Sequence, residues 1–518
     1  MSFRSTVLAV CLLSWLLAAA QSIKPIDREG LVRRHNPALN SADVWSPFTV
    51  GNGTFAFTAD VTGLQTFPDR YEKSIPLSTQ SYWGWHAIPD SVAYSLSGAF
   101  KAIDTYGRMV DYACVPSTPA AQWLRANPHR LHLGQIGFDL RHRDGTPVAM
   151  EELTDIEQTL DLWTGILYSA FRIQSQLFRV QTTCAGDHDA VAVRVETSGA
   201  PQVSWQLLVR FPYGSTAANG SGADWTLPQR HVTEATPQGK ERLVLQRRLD
   251  ETVYQVEMAW RQFHLEPQQP AHTIRLTPRS GRSECVIAFR SATSTGPVSV
   301  SKAFASGRQM WHAYWKKGGM VDLSASTDPR AHELQRRIIL SQYLMRCQNA
   351  APQPPQETGL TVNSWHGKFH LEMHWWHSVH YALWGRTGLL AKSLPWYKTV
   401  MPRAVAEAQR QGYKGCRWPK MVAFDGRESP SSVGVFLIWQ QPHPLYYLEL
   451  LYRQNPDPSL LRDYQELVNQ TADFMASFAV WDSLRQRYVL GPPLIPAQEK
   501  HAARSEEHTS ELQSPNTI

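Results

Sequence analysis

Two runs decide how the chain reads: Trp365-His-Gly-Lys-Phe-His-Leu-Glu-Met-His-Trp-Trp-His377 and Gly412-Tyr-Lys-Gly-Cys-Arg-Trp-Pro-Lys-Met-Val-Ala-Phe-Asp-Gly-Arg-Glu-Ser-Pro430. Tryptophan, histidine, basic and acidic residues are crowded here more densely than packing demands. An indole face stacks on the apolar C–H face of a pyranose, and the sugar's hydroxyls need charged or amide partners. The candidate sugar-binding set is therefore Trp365, His370, Glu372, Trp418, Lys420, Asp425, Arg427 and Glu428. A plainer reading stands beside each. The histidines and tryptophans can simply pack. Glu372 can form a structural ion pair with Lys368 or Arg386. Glu428 can favour the positive end of a helix that follows it.

The first run sits in a helical half. Pro329–Asn349 has Leu334, Ile338 and Met345 at helical intervals, with Ile339 and Tyr343 widening the stripe and Asp328 placed to cap the start. Lys302–Lys316 reads as a connecting helix, and further helices are expected over 371–386, 396–412, 431–454 and 458–482. Leu460, Leu461, Tyr464, Leu467, Val468 and Thr471 form the apolar stripe of the last. N-terminal to these the period changes to two. Val203-Ser-Trp-Gln-Leu-Leu-Val-Arg-Phe211 and Thr252-Val-Tyr-Gln-Val-Glu-Met-Ala-Trp260 alternate, with Gly/Ser/Asn breaks between such runs. The expected fold is multi-domain β plus α: an antiparallel β-sandwich over 24–300, a helical linker over 301–325, and a helical domain over 326–504.

Five histidines between His366 and His380 invite a metal reading, and His370, His374 and His377 can share a helix face. The zinc-protease string H-E-x-x-H is not met, because Glu372 falls one place late in His370-Leu-Glu-Met-His374. Imidazoles that bond sugar hydroxyls fit better, and no metal or organic cofactor is expected. Gly491-Pro-Pro-Leu-Ile-Pro-Ala-Gln-Glu499 is a proline-pinned loop ending in a carboxylate, with Leu494 and Ile495 as apolar neighbours. Glycoside hydrolysis needs a protonated carboxyl beside the leaving oxygen, which makes Glu499 the candidate general acid. Asn52-Gly53 is a hairpin signal, either a plain tight turn or a loop reaching the site.

The net charge of +6 comes from scattered basic residues with no Lys/Arg block, which excludes a concentrated nucleic-acid footprint. Cys11 lies in the N-terminal apolar segment, leaving five widely spaced cysteines and no C-x-x-C, so neither a disulfide framework nor a zinc site is expected. Residues 1–20 read as a secretory signal: Arg4, an apolar run from Val7 to Leu17, then Ala18-Ala-Ala20, with an uncleaved anchor as the alternative. No later segment is apolar enough to span a membrane. Ser505-Glu-Glu-His-Thr-Ser-Glu-Leu-Gln-Ser514 resembles a translated sequencing-library adapter, so 505–518 is expected to be foreign, against the alternative of a polar tail. On that reading the native chain is interrupted near Arg504 and the fragment alone is inactive.

The chain resembles glycoside hydrolase family 65 and its relatives in the six-hairpin glycosidase superfamily. Three segments carry the resemblance. Gly51-Asn52-Gly53 is similar to the family's N-G start. Phe369-His-Leu-Glu372 is similar to its F-W-D segment. Gly415-Cys-Arg-Trp-Pro419 with Gly426-Arg-Glu428 is similar to G-A-x-F-P-W followed by G-x-E. The resemblance implies that 326–504 is part of an (α/α)6 toroid and that Glu372 binds the sugar in the cleavage subsite. It also implies that Glu499 takes the place of the acid in G-P-D-E, and that the general base lies beyond residue 504. Two departures stand out: His-Leu-Glu replaces aromatic-Trp-Asp, and the loop between Gly491-Pro492 and Glu499 is longer. The expected activity is that of a secreted or periplasmic inverting glycosidase on α-linked gluco-type sugars. An α-glucoside phosphorylase or a non-catalytic carbohydrate-binding protein is the alternative. The expected partner is carbohydrate, not nucleic acid. Oligomeric state is not legible.

Overall fold

Alternating burial builds the first half of the molecule. In Arg242–Leu249 and Ser204–Arg210 every second side chain is buried. Arg242–Leu249 turns tightly at Asp250 (φ +48°) and pairs antiparallel with Thr252–Arg261. The computed structural model describes residues 25–267, 270–291, 299–490 and 493–495. The signal segment, Glu499 and the 505–518 tail lie outside the described residues.

Among those residues a nine-stranded antiparallel sheet is centred on Gln176–Cys184, Ala190–Ser198, Arg282–Arg290 and Thr252–Arg261. A four-stranded sheet, including Gln135–Arg141 and Ser204–Arg210, faces it. The interlayer core is aromatic. Phe171 and Phe178 are directly opposed across adjacent strands and stack with centroids 4.9 Å apart. Phe138 of the smaller sheet closes on both, at 6.4 and 6.2 Å. Such pairs contribute roughly 0.5–1.5 kcal/mol beyond the area they bury.

The helices follow: α1 (Val300–Lys316), α2 (Ala331–Gln348), α3 (Leu371–Leu383), α4 (Thr387–Ala391), α5 (Pro395–Arg410), α6 (His443–Gln454) and α7 (Pro458–Phe478). The first two belong to the β core as much as to the helical one. Trp315 of α1 donates its indole N–H to the Leu162 carbonyl (2.7 Å), and Trp311 stacks on Tyr343 of α2 at 4.3 Å. The buried face of α2 is Gln335, Ile339, Gln342, Tyr343, Arg346 and Cys347, whereas Leu334, expected on that face, is 52% exposed. The face is set by what it meets, the β-sandwich edge, and that edge supplies carbonyls: Tyr343 donates to Thr49 O (3.1 Å). Asp328 still works at the helix start, accepting from the Arg330 N–H (2.8 Å) although Arg330 is the first flanking residue.

One expected helix is shorter than its apolar pattern. Residues 431–442 hold only a 3₁₀ turn at Gly434–Phe436, and α6 begins at His443. Pro442 and Pro444 explain the boundary, since proline lacks the N–H a helix interior needs but suits its first turn. The Asn52-Gly53 signal is a hairpin turn joining Phe48–Gly51 to Phe55–Ala59. It docks on α2, where the Gly53 N–H donates to Cys347 O (2.8 Å) and Arg346 donates to Asn52 O. The five cysteines from Cys114 onward are all free. No helix among the described residues is long and apolar enough to cross a membrane.

Candidate functional site

The extended run Arg417-Trp-Pro-Lys420 sorts its side chains by alternation. Trp418 and Lys420 turn to the helical core, while Arg417 and Pro419 turn to a surface cavity. Two glutamines lace the run to the segment before α6. Gln441 accepts from the Trp418 N–H (2.8 Å) and donates to Cys416 O (2.7 Å), and Gln440 donates to Trp418 O (3.0 Å). On the other side the Leu371 N–H donates to Lys420 O (2.7 Å), which fixes the first turn of α3 against Lys420.

Glu372 stands in that first turn, 5% exposed, with Oε1 3.3 Å from Lys420 Nζ. Burial raises its carboxyl to about 7, and the Lys420 ammonium pulls the other way. A carboxyl poised near neutrality both donates and accepts hydrogen bonds and can exchange a proton. Glu372 Oε2 and Tyr447 Oη, which feels the Glu372 charge, are buried with no hydrogen-bond partner among the described residues, and so are Gln440 Oε1 and Trp439 Nε1 on the segment that leads into α6. Two are acceptors, one is a donor, and the tyrosine hydroxyl is either. An unmade buried hydrogen bond costs roughly 1–3 kcal/mol, so such a group of atoms calls for an explanation. Aromatic rings wall the group. Trp439 lies edge-on to His443 at 5.2 Å, Trp375 stacks on Tyr446 at 4.4 Å, and His374 meets Tyr447 at 4.8 Å.

The structure brings Glu372 and Lys420 together and distributes the other candidates elsewhere. Trp418 is a core residue, 1% exposed, with its indole N–H on Thr471 Oγ1 (3.0 Å) and its ring edge-on to Tyr397. It offers no open face to a sugar, because the hydrophobic contacts of the helices cover it. His370 is buried, with Nδ1 3.0 Å from Lys368 O. Trp365 is 42% exposed on a turn with φ +50°, with Arg125 set 5.9 Å over its ring. Asp425 pairs with Arg403 (3.2 Å) at the surface. Arg427 donates to Asn127 O (2.5 Å), and Glu428 is buried against the cavity side. Three of the other histidines bond to neighbours: His374 meets Tyr397 Oη (3.0 Å) and Ser393 Oγ (2.8 Å), His377 meets Glu357 O (2.8 Å), and His380 meets His377 O (3.0 Å), whereas His366 Nδ1 is buried with no partner among the described residues. The two alternatives for the Glu372 ion pair are not used. Lys368 donates to Pro128 O (2.5 Å), and Arg386 lies 4.2 Å over Tyr314.

Trp439, Gln440 and Tyr447 were not singled out by sequence. The signal is there in Trp439-Gln-Gln-Pro-His443, a polar run breaking an apolar stretch just before a helix.

No family model matches the chain, and no curated protein matches it. Solved structures do. One described as a kojibiose phosphorylase from human microbiome superposes with TM-score 0.64 at 11% identity, covering 91% of this chain and 64% of its own. A bacterial glucoamylase complexed with acarbose gives TM-score 0.47 at 9% identity, over 85% of this chain and 60% of its own. A family GH92 α-mannosidase from Bacteroides thetaiotaomicron in complex with mannoimidazole gives 0.29 at 9%, over 86% and 60%. The last two overlays are too loose to carry an argument. The first shows a shared fold, β-rich first and helical after, and this chain spans 64% of that protein's length.

Proposed function

We propose that the chain is part of an enzyme acting on glycosyl bonds, of the six-hairpin glycosidase kind. Its parts would be a β-sandwich over 24–300, a helical linker over 301–325 and a portion of an (α/α)6 toroid over 326–504. The observation that carries the reading is the buried Glu372–Lys420 pair (3.3 Å) amid unpartnered polar atoms and aromatic walls. A pyranose supplies what that group lacks: several hydroxyls, each donor and acceptor, on a ring with apolar faces. The shared fold with a protein described as a sugar phosphorylase adds support.

In this reading Glu372 and Lys420 hold sugar hydroxyls in the cleavage subsite, and Glu499 protonates the glycosidic oxygen. Ile495, the last described residue before Glu499, donates its N–H to Phe436 O (3.1 Å), three residues from Trp439. The reaction is inverting hydrolysis of α-linked gluco-type sugars by an exported protein. A second carboxylate activates water from the far side of the ring, with the pair about 6.5–9.5 Å apart. The test assays trehalose and maltose with and without inorganic phosphate, using the product of the uninterrupted coding sequence. Phosphate-independent glucose release with an inverted anomer is expected. Glu499→Gln should lower kcat by about 10²–10⁴-fold while sugar still binds. Glucose 1-phosphate formed only with phosphate makes the enzyme a phosphorylase. Binding without turnover under either condition makes it a carbohydrate-binding protein and refutes the proposal.

A further inference from the structure

On the opposite side of Arg417–Lys420 from Glu372 lies a cavity of about 380 Å³, a volume within the range of small-molecule sites. The loop at Ser95–Phe100, the second half of α5 and the turn at Gly426–Glu428 enclose it. Glu428 lines it, 4% exposed, its carboxyl beside Glu407 and Arg417 and otherwise without a partner among the described residues. Arg427 lines it too, with Nη1 buried and unpartnered while Nη2 is held on Asn127 O. A carboxyl and a guanidinium N–H from adjacent residues thus border one space, with Glu407 and Arg417 as the charged neighbours of the Glu428 carboxyl.

Charge decides what fits there. The other guanidiniums around the cavity are already engaged. Arg410 pairs with Glu407, Arg417 donates to Gln411 Oε1 and Val435 O, and Arg403 pairs with Asp425. A dianion would find no free arginine fork and would face two glutamates. A cation would face four guanidiniums. A neutral ligand with adjacent hydroxyls suffers neither penalty. One hydroxyl donates to Glu428 and a neighbour accepts from Arg427, as a vicinal diol would on a carboxyl and a guanidinium of adjacent residues. Phe100, Leu96 and Pro419 supply apolar wall for C–H faces. We propose that this cavity is a second saccharide site, taking a neutral sugar of one or two rings between Arg427 and Glu428, separate from the Glu372 group. Its occupancy does not depend on any reaction at Glu372.

Calorimetric titration of the full chain with maltose, and separately with inorganic phosphate, tests this, together with a maltose soak of crystals. Maltose density in the cavity is expected. Glu428→Leu should weaken that binding at least tenfold. Ser97→Trp should do the same from the exposed rim, where the change cannot unfold the core. Glu372→Gln should leave it in place. Phosphate that displaces maltose from the cavity overturns the proposal, as does maltose binding untouched by both cavity variants. Loss of all maltose binding in Glu372→Gln overturns it as well, and that outcome would leave the Glu372 site itself standing.

Discussion

At the residue scale the Glu372–Lys420 pair is the sharpest object in the molecule. The carboxyl is raised to about 7, so the pair is a full ion pair only on the alkaline side of neutrality. Its folded value lies above the ordinary 4.5, so its contribution to stability is complete below 4.5 and is lost as pH rises toward 7. Lys420→Met removes the ammonium and lifts the folded value further. At pH 5 the carboxyl is protonated in both proteins, and the variant should melt within about 2 °C of the parent. At pH 8 an unpaired buried carboxylate costs about 3–5 kcal/mol, or else the group holds its proton against the solvent. The variant's Tm should then fall by several degrees at pH 8 only. An equal loss at both pH values would show that Lys420 acts by packing. Their residue types made Glu372 and Lys420 candidates for a sugar site. That they pair with each other was not, because the nearer Lys368 and Arg386 compete for the carboxylate in sequence and lose to backbone and aromatic partners in space.

At the element scale the strands were legible and the helix faces were not. Period-two alternation is fixed by the pleat, so Ser204–Arg210 and Thr252–Arg261 read correctly without knowledge of their neighbours. The face α2 buries depends on which neighbour it meets. Leu334 reads as core, yet Gln335, Gln342 and Arg346 are inside: Arg346 donates to Asn52 O at the sandwich edge, Gln335 accepts from the Leu323 N–H (2.6 Å), and Gln342 packs with no side-chain hydrogen bond among the described residues. The 431–442 segment misled for a related reason: an apolar run reads as helix until Pro442 and Pro444 are weighed. The Asn52-Gly53 turn gives a test of how tightly the two halves are joined. Gly53 has φ +93°, and a Cβ there would lie 2.5 Å from Arg346 Nη1 and 2.6 Å from Ala350 Cβ. Gly53→Ala therefore adds left-handed strain of roughly 1–2 kcal/mol to a clash with the end of α2. Chemical unfolding should show a loss of at least about 2 kcal/mol. Loss of less than half that would mean the turn shifts freely and does not clamp α2. By contrast Phe178→Ala, in the middle of the sandwich, should cost about 3–5 kcal/mol by opening a void beside Phe171 and Phe138, read in the same unfolding experiment.

At the scale of the whole molecule, buried titratable groups set opposing pH limits. Burial pushes His86, His132, His366, His380 and His443 down to about 4, and His129, His231 and His374 down to about 3. These rings are spread over both halves, and each is held neutral in the fold. A depressed folded value means stability that is fully present above the unfolded value of 6.5 and is lost as pH falls toward 4 and 3. Burial raises Asp60 to about 6, Glu372 to about 7 and Glu428 to about 8, the last with Glu407 beside it. Those carboxyls contribute fully only below their ordinary values, and their contribution falls away as pH climbs to 6, 7 and 8 in turn. Between 4.5 and 6.5 these eight rings outnumber the three carboxyls, so acidification destabilises. Above 6.5 the rings have nothing further to give, while Glu372 and Glu428 are still being forced to ionise. Thermal unfolding followed by circular dichroism from pH 4 to 9 should therefore show a maximum near about 6.5, with the acid limb steeper than the alkaline one. Glu428→Gln removes a titrating group from the alkaline side and should flatten that limb while leaving the acid limb in place. An alkaline limb unchanged by Glu428→Gln would mean that Glu428 is already ionised in the fold, held by Arg417.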